Sequence, residues 1–236
     1  MILKKPYQIT EIIKETADVT IFKFKATDGY KLDFEPGMFV MLGYKDPQTG
    51  QETSRAYSIA SPPGHDTLTF AISMVHGRFT SKLDNAKVGD TYFISGPYGQ
   101  FKFDYKSDKK VLFIAGGTGV APFLSMIEHS FENNLDIDIV LVYSVRYPND
   151  IIAKSRLNEL QSKMKLKVVV TVTRESELPW DGERGHISAD MIKKYVSDIS
   201  ERTCYICGPL QFTKAMKDIA VSLGFSNDKI KADVWG

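Results

Sequence analysis

Two short segments of this 236-residue chain carry residue types at a spacing that could do chemistry. The first is Gly116-Gly117-Thr118-Gly119-Val120-Ala121-Pro122, which follows the apolar run Val111–Ala115 and precedes an amphipathic stretch holding Phe123, Leu124, Met126 and Ile127. The order is strand, glycine loop, helix. Glycines let a backbone approach a pyrophosphate, and the unpaired N–H groups of a helix start favour its negative charge. Pro122 suits a first helical turn, where its missing N–H costs nothing. It also stands where Gly-x-Gly-x-x-Gly requires a third glycine, and no Gly-Lys-Ser/Thr follows, so the loop matches neither motif. Taken alone, it is either an anion-binding turn or a tight turn that binds nothing. The second segment, Ser54-Arg55-Ala56-Tyr57-Ser58-Ile59-Ala60-Ser61-Pro62, places a permanent cation, an aromatic ring and a hydroxyl close together on a strand. By alternation Arg55 and Tyr57 share a face. That suits a flavin nucleotide, with the guanidinium on phosphate and the phenol ring against the flat ring system. Ser58 alternates to the other face and reaches that ring only if its edge wraps round the strand. Alone, this segment reads as an exposed arginine beside a core tyrosine.

Other residues bear on the choice. Where a carboxylate would grip the ribose hydroxyls of NAD, the chain reads Tyr143-Ser144-Val145-Arg146. The next apolar run ends Thr173-Arg174-Glu175, a hydroxyl and a guanidinium that could hold a 2′-phosphate. Ser144, Arg146, Thr173 and Arg174 therefore favour NADPH over NADH; the competing reading is solvated loop charge, with Glu175 beside Arg174. Cys204 and Cys207 form Cys-x-x-Cys, but positions three apart on a strand face opposite ways. Cys204 reads as core, and Cys207 as a small residue at the carboxyl edge of the sheet, where ligands of open α/β folds bind. His65, His76, His129 and His186 share no helical or strand spacing, so no metal or haem is expected.

The elements that must position these residues fall into two unlike halves. Thr20–Lys25 and Thr67–Met74 alternate as half-buried strands do, and turn signals such as Asp28-Gly29, Pro36-Gly37 and Gly96-Pro97-Tyr98-Gly99 punctuate that half. Short strands at this spacing predict a small closed antiparallel β-barrel. Beyond Asp104–Lys110 the pattern changes to continuous apolar runs at Val111–Ala115, Ile137–Tyr143 and Lys167–Thr173, alternating with helices expected near 120–131, 150–163, 188–196 and 211–223. Strands apolar on both faces belong to a parallel α/β sheet covered on both sides. The expected division is 1–104 and 105–236. A formal charge of +1 provides no field for nucleic acid, and two cysteines cannot supply a four-thiolate cluster, so any redox centre must be organic or borrowed. No apolar h-region follows the first residues and no run approaches the ~20 apolar residues of a span, so a cytoplasmic location is expected.

Together these features resemble the ferredoxin–NADP⁺ reductase family, in which a barrel binds flavin and a parallel α/β domain binds NAD(P)H. Arg55-Ala56-Tyr57-Ser58 matches the family's Arg-x-Tyr-Ser motif. Gly77-Arg78-Phe79-Thr80-Ser81-Lys82-Leu83 resembles its Gly-x-x-Ser-x-x-Leu phosphate segment, with Thr80 in place of serine. Gly96–Phe101 resembles the turn closing the barrel, Gly116–Pro122 the pyridine-nucleotide loop, and Cys207-Gly208-Pro209 the Cys-Gly-Pro motif beside the nicotinamide. The resemblance implies a flavin shell that also includes Ser73, Met74, Val75, Phe79 and Ser81, a pyrophosphate held by Gly117, Thr118 and Gly119, and a nicotinamide brought close at Cys207, Gly208 and Pro209. It further implies that Ser58 bonds near the reacting flavin nitrogen, and that the ending Asp233-Val234-Trp235-Gly236 supplies a carboxylate and a covering aromatic. Asp233 stands in place of the family's glutamate, and a glycine follows Trp235. The implied activity is reduction of bound FAD by NAD(P)H, with electrons passed to a separate acceptor such as a ferredoxin or an oxygenase component, no iron–sulfur segment being expected here. Two alternatives stay open, a reductase that releases flavin as a substrate and a non-catalytic nucleotide-binding subunit.

Overall fold

The computed structural model describes residues 4–174 and 179–235, with the Trp235 side chain outside the described part. The first half forms strands β1 (Lys4–Lys14), β2 (Val19–Ala26), β3 (Phe39–Lys45), β4 (Glu52–Ser58), β5 (Thr67–Ser73) and β6 (Thr91–Tyr98), with helix α1 (Arg78–Asp84) between β5 and β6. They make one antiparallel sheet in the order β4-β3-β6-β1-β2-β5. The Ala60 N–H, just past β4, donates to Thr69 O of β5 at 2.8 Å, so the two end strands meet and the sheet curls into a barrel. Alternation explains the core: Phe22, Phe24, Phe70 and Tyr92 all point inward, with Phe24 edge-on to Phe70 at 5.8 Å and to Tyr92 at 5.7 Å. Helix α1 is absent from the sequence expectation. Its seven residues give too short a window for a helical period to show.

The second half forms β7 (Lys110–Gly116), α2 (Ala121–Glu132), β8 (Asp138–Val145), α3 (Lys154–Gln161), β9 (Leu166–Val172), β10 (Glu183–Arg184), α4 (Ala189–Tyr195), β11 (Thr203–Pro209), α5 (Leu210–Ser222) and β12 (Ile230–Trp235). Its sheet is parallel, in the order β10-β9-β8-β7-β11-β12. Nearly every residue of β7 and β8 is buried, because Phe113 and Leu141 face the α2 side while Leu112 and Val140 face α4 and α5. Cys204 and Cys207 fall in these two opposite layers, both as free thiols. Helix α3 starts four residues later than the sequence suggests. Ile151 and Ile152 are buried outside the helix, and Ala153 takes a left-handed φ of 56° while its N–H donates to Glu15 Oε1 at 2.7 Å. Among the described residues no helix is long and apolar enough to cross a membrane.

The connection between the halves is itself packed. Phe101 lies 6.0 Å from Phe123 and 5.7 Å from Tyr205, and Phe103 lies 5.8 Å from Phe113, all edge-on. Ser125 Oγ of α2 donates to Ser61 O of the barrel at 2.7 Å. At the far end of the parallel sheet, the buried Arg202 donates from Nε to Asp198 Oδ1 at 2.7 Å, from Nη2 to Asp138 Oδ1 at 2.9 Å and from Nη1 to Val111 O at 3.0 Å. Arg202→Met should lower unfolding stability by about 3 kcal/mol, because carbonyls and carboxylates that it pairs lose their donor. Arg202 holds the Asp198 carboxyl down to about 2. That contribution is therefore fully present above the ordinary aspartate value of about 4 and lost as pH falls toward 2. Denaturant titrations should show the gap between wild type and variant narrowing across that window.

Candidate functional site

A cavity of about 480 Å³ opens on the barrel where it faces the second half. β4 contributes Arg55, Ala56, Tyr57 and Ser58, the end of β5 and the segment after it contribute Ser73 and Val75, and the α1 region contributes Gly77, Arg78, Phe79 and Thr80. Thr118, Ala121 and Asp233 enter from the other half. The Tyr57 ring is propped against Phe79, with centroids 5.9 Å apart, and burial pushes its phenol up to about 12, so it presents an uncharged face. Arg55 Nη1 donates to Ser54 O at 2.8 Å, and Arg78 Nη2 donates to Gln51 Oε1 at 2.6 Å. Both partners are neutral, so the two guanidiniums leave net positive charge on the wall. Asp233 sits opposite, and burial raises its carboxyl above the usual aspartate range, offset in part by the Val234 N–H.

Two expected contacts in this half fall outside the cavity, and a third, Thr80, lines it with its hydroxyl already engaged. Met74 is buried in the barrel core and its N–H donates to Asp18 O at 2.8 Å, so it does not line the cavity. The Thr80 hydroxyl is engaged, accepting from Gly77 N at 3.0 Å and reaching Gly77 O at 3.3 Å, which leaves it no free proton for a ligand. Ser81 is exposed on α1 outside the lining, its N–H spent on Gly77 O at 2.8 Å.

A second cleft of about 610 Å³ runs over the carboxyl edge of the parallel sheet. Gly116, Gly117, Thr118, Ser144, Arg146, Thr173 and Pro209 line it, together with Asp18, Asp150, His186 and Phe212. Gly117 has φ +55° and nothing within 4 Å of where a Cβ would stand, so its backbone is open to the cleft. Gly119 differs: a Cβ there would stand 2.3 Å from Cys207 O, so this glycine serves the approach of the loop to β11 and lies outside the lining. Cys207 is fully buried and lines neither cleft, and burial together with the Asp233 carboxylate pushes its thiol far up. Gly208 is also outside both linings, its open side covered by the Phe212 ring. The Thr173 hydroxyl donates to Val145 O at 3.2 Å, and Arg174 is exposed beyond the lining. Glu175 and the side chain of Trp235 lie outside the described residues.

Ser73 and Thr118 line both spaces, so the cavity and the cleft adjoin there. The arrangement offers one chamber with two cations and an aromatic wall beside another with a glycine loop at a helix start. Sequence reasoning missed Phe39, Arg78, Asp18, Asp150 and Phe212 as lining residues. Arg78 was detectable as a cation next to Gly77. Phe212 was not, because an aromatic early in a helix reads as core.

Residues 6–103 match the family of oxidoreductase FAD-binding domains, and residues 113–218 match the family of oxidoreductase NAD-binding domains. The glycine betaine monooxygenase reductase subunit of Chromohalobacter salexigens is 35% identical over 234 residues, which are 96% of this chain and 62% of that protein. A stachydrine N-demethylase reductase subunit of Rhizobium meliloti is 28% identical, over 94% of this chain and 64% of its own length. The chain thus spans a little under two thirds of these curated relatives. Among solved structures, the ferredoxin reductase in carbazole 1,9a-dioxygenase superposes with a TM-score of 0.86 at 27% identity, covering 100% of this chain and 70% of that one. With both domain families matched in order along the barrel and the parallel sheet, the chain belongs to the FAD- and NAD-binding flavoprotein oxidoreductases of the ferredoxin reductase type.

Proposed function

We propose that this protein is an FAD-dependent NAD(P)H reductase, with residues 1–104 holding FAD, residues 105–236 holding the nicotinamide nucleotide, and a separate oxygenase component or ferredoxin-like carrier taking the electrons. The observation that carries the reading is the shared wall at Ser73 and Thr118, which lets two flat ring systems placed in the two spaces come into contact. The barrel cavity fits a flavin nucleotide: it has cationic groups for phosphate, a neutral aromatic face and a volume of about 480 Å³. Bound FAD would supply the capacity to take a hydride and give up electrons singly.

The chain's own residues bind, orient and exclude water. Arg55 and Arg78 neutralise phosphate charge, Tyr57 packs on the ring face, and the Ser58 hydroxyl bonds to the ring edge. Gly117 and Thr118, on the loop that leads into α2, receive the pyrophosphate. Asp233 retains a proton at the cavity wall to higher pH than an exposed aspartate. Holding donor and acceptor in contact contributes at most about 7 to 11 kcal/mol. NADPH is the proposed donor, because Arg146 lines the cleft, where its guanidinium can pair with a 2′-phosphate. The relatives are named as reductase subunits of a monooxygenase and a demethylase, and that likeness supports an oxygenase-type acceptor. The need for a nicotinamide nucleotide supports a cytoplasmic location.

The first test is colour. The purified protein should keep a yellow flavin spectrum through gel filtration and bleach when NADPH is added without oxygen. Colour lost on the column would favour released flavin, and colour that persists with both nucleotides would favour a non-catalytic subunit. Tyr57→Ala should weaken FAD retention about tenfold, by loss of the stacking face. Ser58→Ala should leave retention close to wild type and slow flavin reduction about tenfold in rapid mixing, and an unchanged rate would remove Ser58 from the mechanism. Arg146→Ala should weaken NADPH binding several-fold and NADH binding little, as read by the ratio of KM values.

A further inference from the structure

Gly116 and Gly208 lie side by side at the carboxyl ends of β7 and β11, one step beyond the paired Ala115 and Cys207. Neither has a left-handed φ, so nothing in the backbone demands glycine at these positions. What demands it is space. A Cβ on Gly208 would stand 2.6 Å from the Phe212 ring, and one on Gly116 would stand 3.0 Å from the same ring. The ring therefore lies across both strand ends, in the place that the motif reading reserves for a nicotinamide approaching Gly208.

Phe212 is only half-buried and lines the cleft of about 610 Å³, while it is absent from the lining of the flavin cavity. It continues along α5 through Ala215, Met216 and Ile219, three, four and seven positions on, all lining the same cleft, with Ile187 also contributing. The Thr213 hydroxyl donates to Gly208 O at 3.1 Å, which holds the first turn of α5 to the β11 edge and keeps the ring in place.

We propose that Phe212 is a nucleotide-contacting residue, its ring forming the floor of the cleft where β7 meets β11, and that Gly116 and Gly208 are glycines in order to admit this ring. The inference rests on the second cleft receiving a nicotinamide nucleotide. The nucleotide packs on the face of Phe212 and is kept off the Gly208 backbone.

A double-mutant cycle tests this, with NAD⁺ and NADP⁺ as probes in calorimetry on the FAD-loaded full chain. Gly208→Ala should displace the ring and weaken binding about tenfold, and Phe212→Ala should weaken it by a similar factor. The double variant should be no weaker than Phe212→Ala, because the added methyl then has room. Losses that simply multiply would overturn the proposal. Phe212→Leu keeps apolar bulk without the planar face, so it should melt close to wild type yet lose affinity; wild-type affinity in this variant would also overturn the proposal. If Gly208→Ala does not fold, Gly116→Ala, with its milder clash, carries the same cycle. Flavin content should stay unchanged throughout. A wild type that binds neither nucleotide overturns the reductase reading, whereas a wild type that binds with uncoupled variants overturns only the role of Phe212.

Discussion

Everything at the site depends on the barrel and the parallel sheet being fixed against each other, and the fixing is done by close packing. Gly37 of the barrel shows how tight it is: a Cβ there would stand 2.3 Å from Phe101 O and 2.6 Å from Met126 Cε of α2. The Phe101 and Phe103 rings extend this contact into Phe113, Phe123 and Tyr205, so the connecting segment is part of the core of the second half. A contact of this kind resists sliding, because a shift of a fraction of an ångström already forfeits much of the dispersion energy. The common wall at Ser73 and Thr118 is a consequence of that rigidity.

Burial then sets the charge state of the site. The same loss of water that keeps the Tyr57 phenol neutral also raises the Asp233 carboxyl and the Cys207 thiol. A neutral, buried Cys207 offers no nucleophile, which suits chemistry performed by a cofactor. The cations lie where they keep contact with solvent, and their nearest partners, Ser54 O and Gln51 Oε1, are dipoles that an anion can replace. Positive charge is thus held ready without the desolvation cost of burying it.

Much of the fold was legible in the sequence because two different periods mark its halves. Alternation in Val19–Ala26 and unbroken apolar runs at Val111–Ala115 and Ile139–Tyr143 correspond to a sheet with one buried face and a sheet with two. The opposite facing of Cys204 and Cys207 follows from strand parity alone. Less legible were elements decided by tertiary contacts. The late start of α3 depends on Glu15, 138 positions away, accepting from the Ala153 N–H. Likewise Thr80 and Thr173 read as free hydroxyls, yet each is engaged by a backbone partner, Gly77 on the same turn for Thr80 and Val145 of the neighbouring strand for Thr173, and local sequence does not reveal which partner prevails.

The glycines show why a motif can be read correctly as a pattern and still be misread as physics. Gly117 is glycine because its φ is +55° and its open side faces the cleft. Gly119 is glycine because the backbone of Cys207 lies against it, and Gly208 because a side chain of the same protein does. One letter thus stands for three causes, and only the first opens directly to the cleft. A substitution at Gly117 tests ligand access, whereas one at Gly119 tests whether β7 and β11 can keep their spacing. The two would fail alike in an activity assay, and only structural and binding measurements separate them. A glycine-rich loop at a strand end therefore indicates where a nucleotide lies more reliably than it indicates which residues touch it.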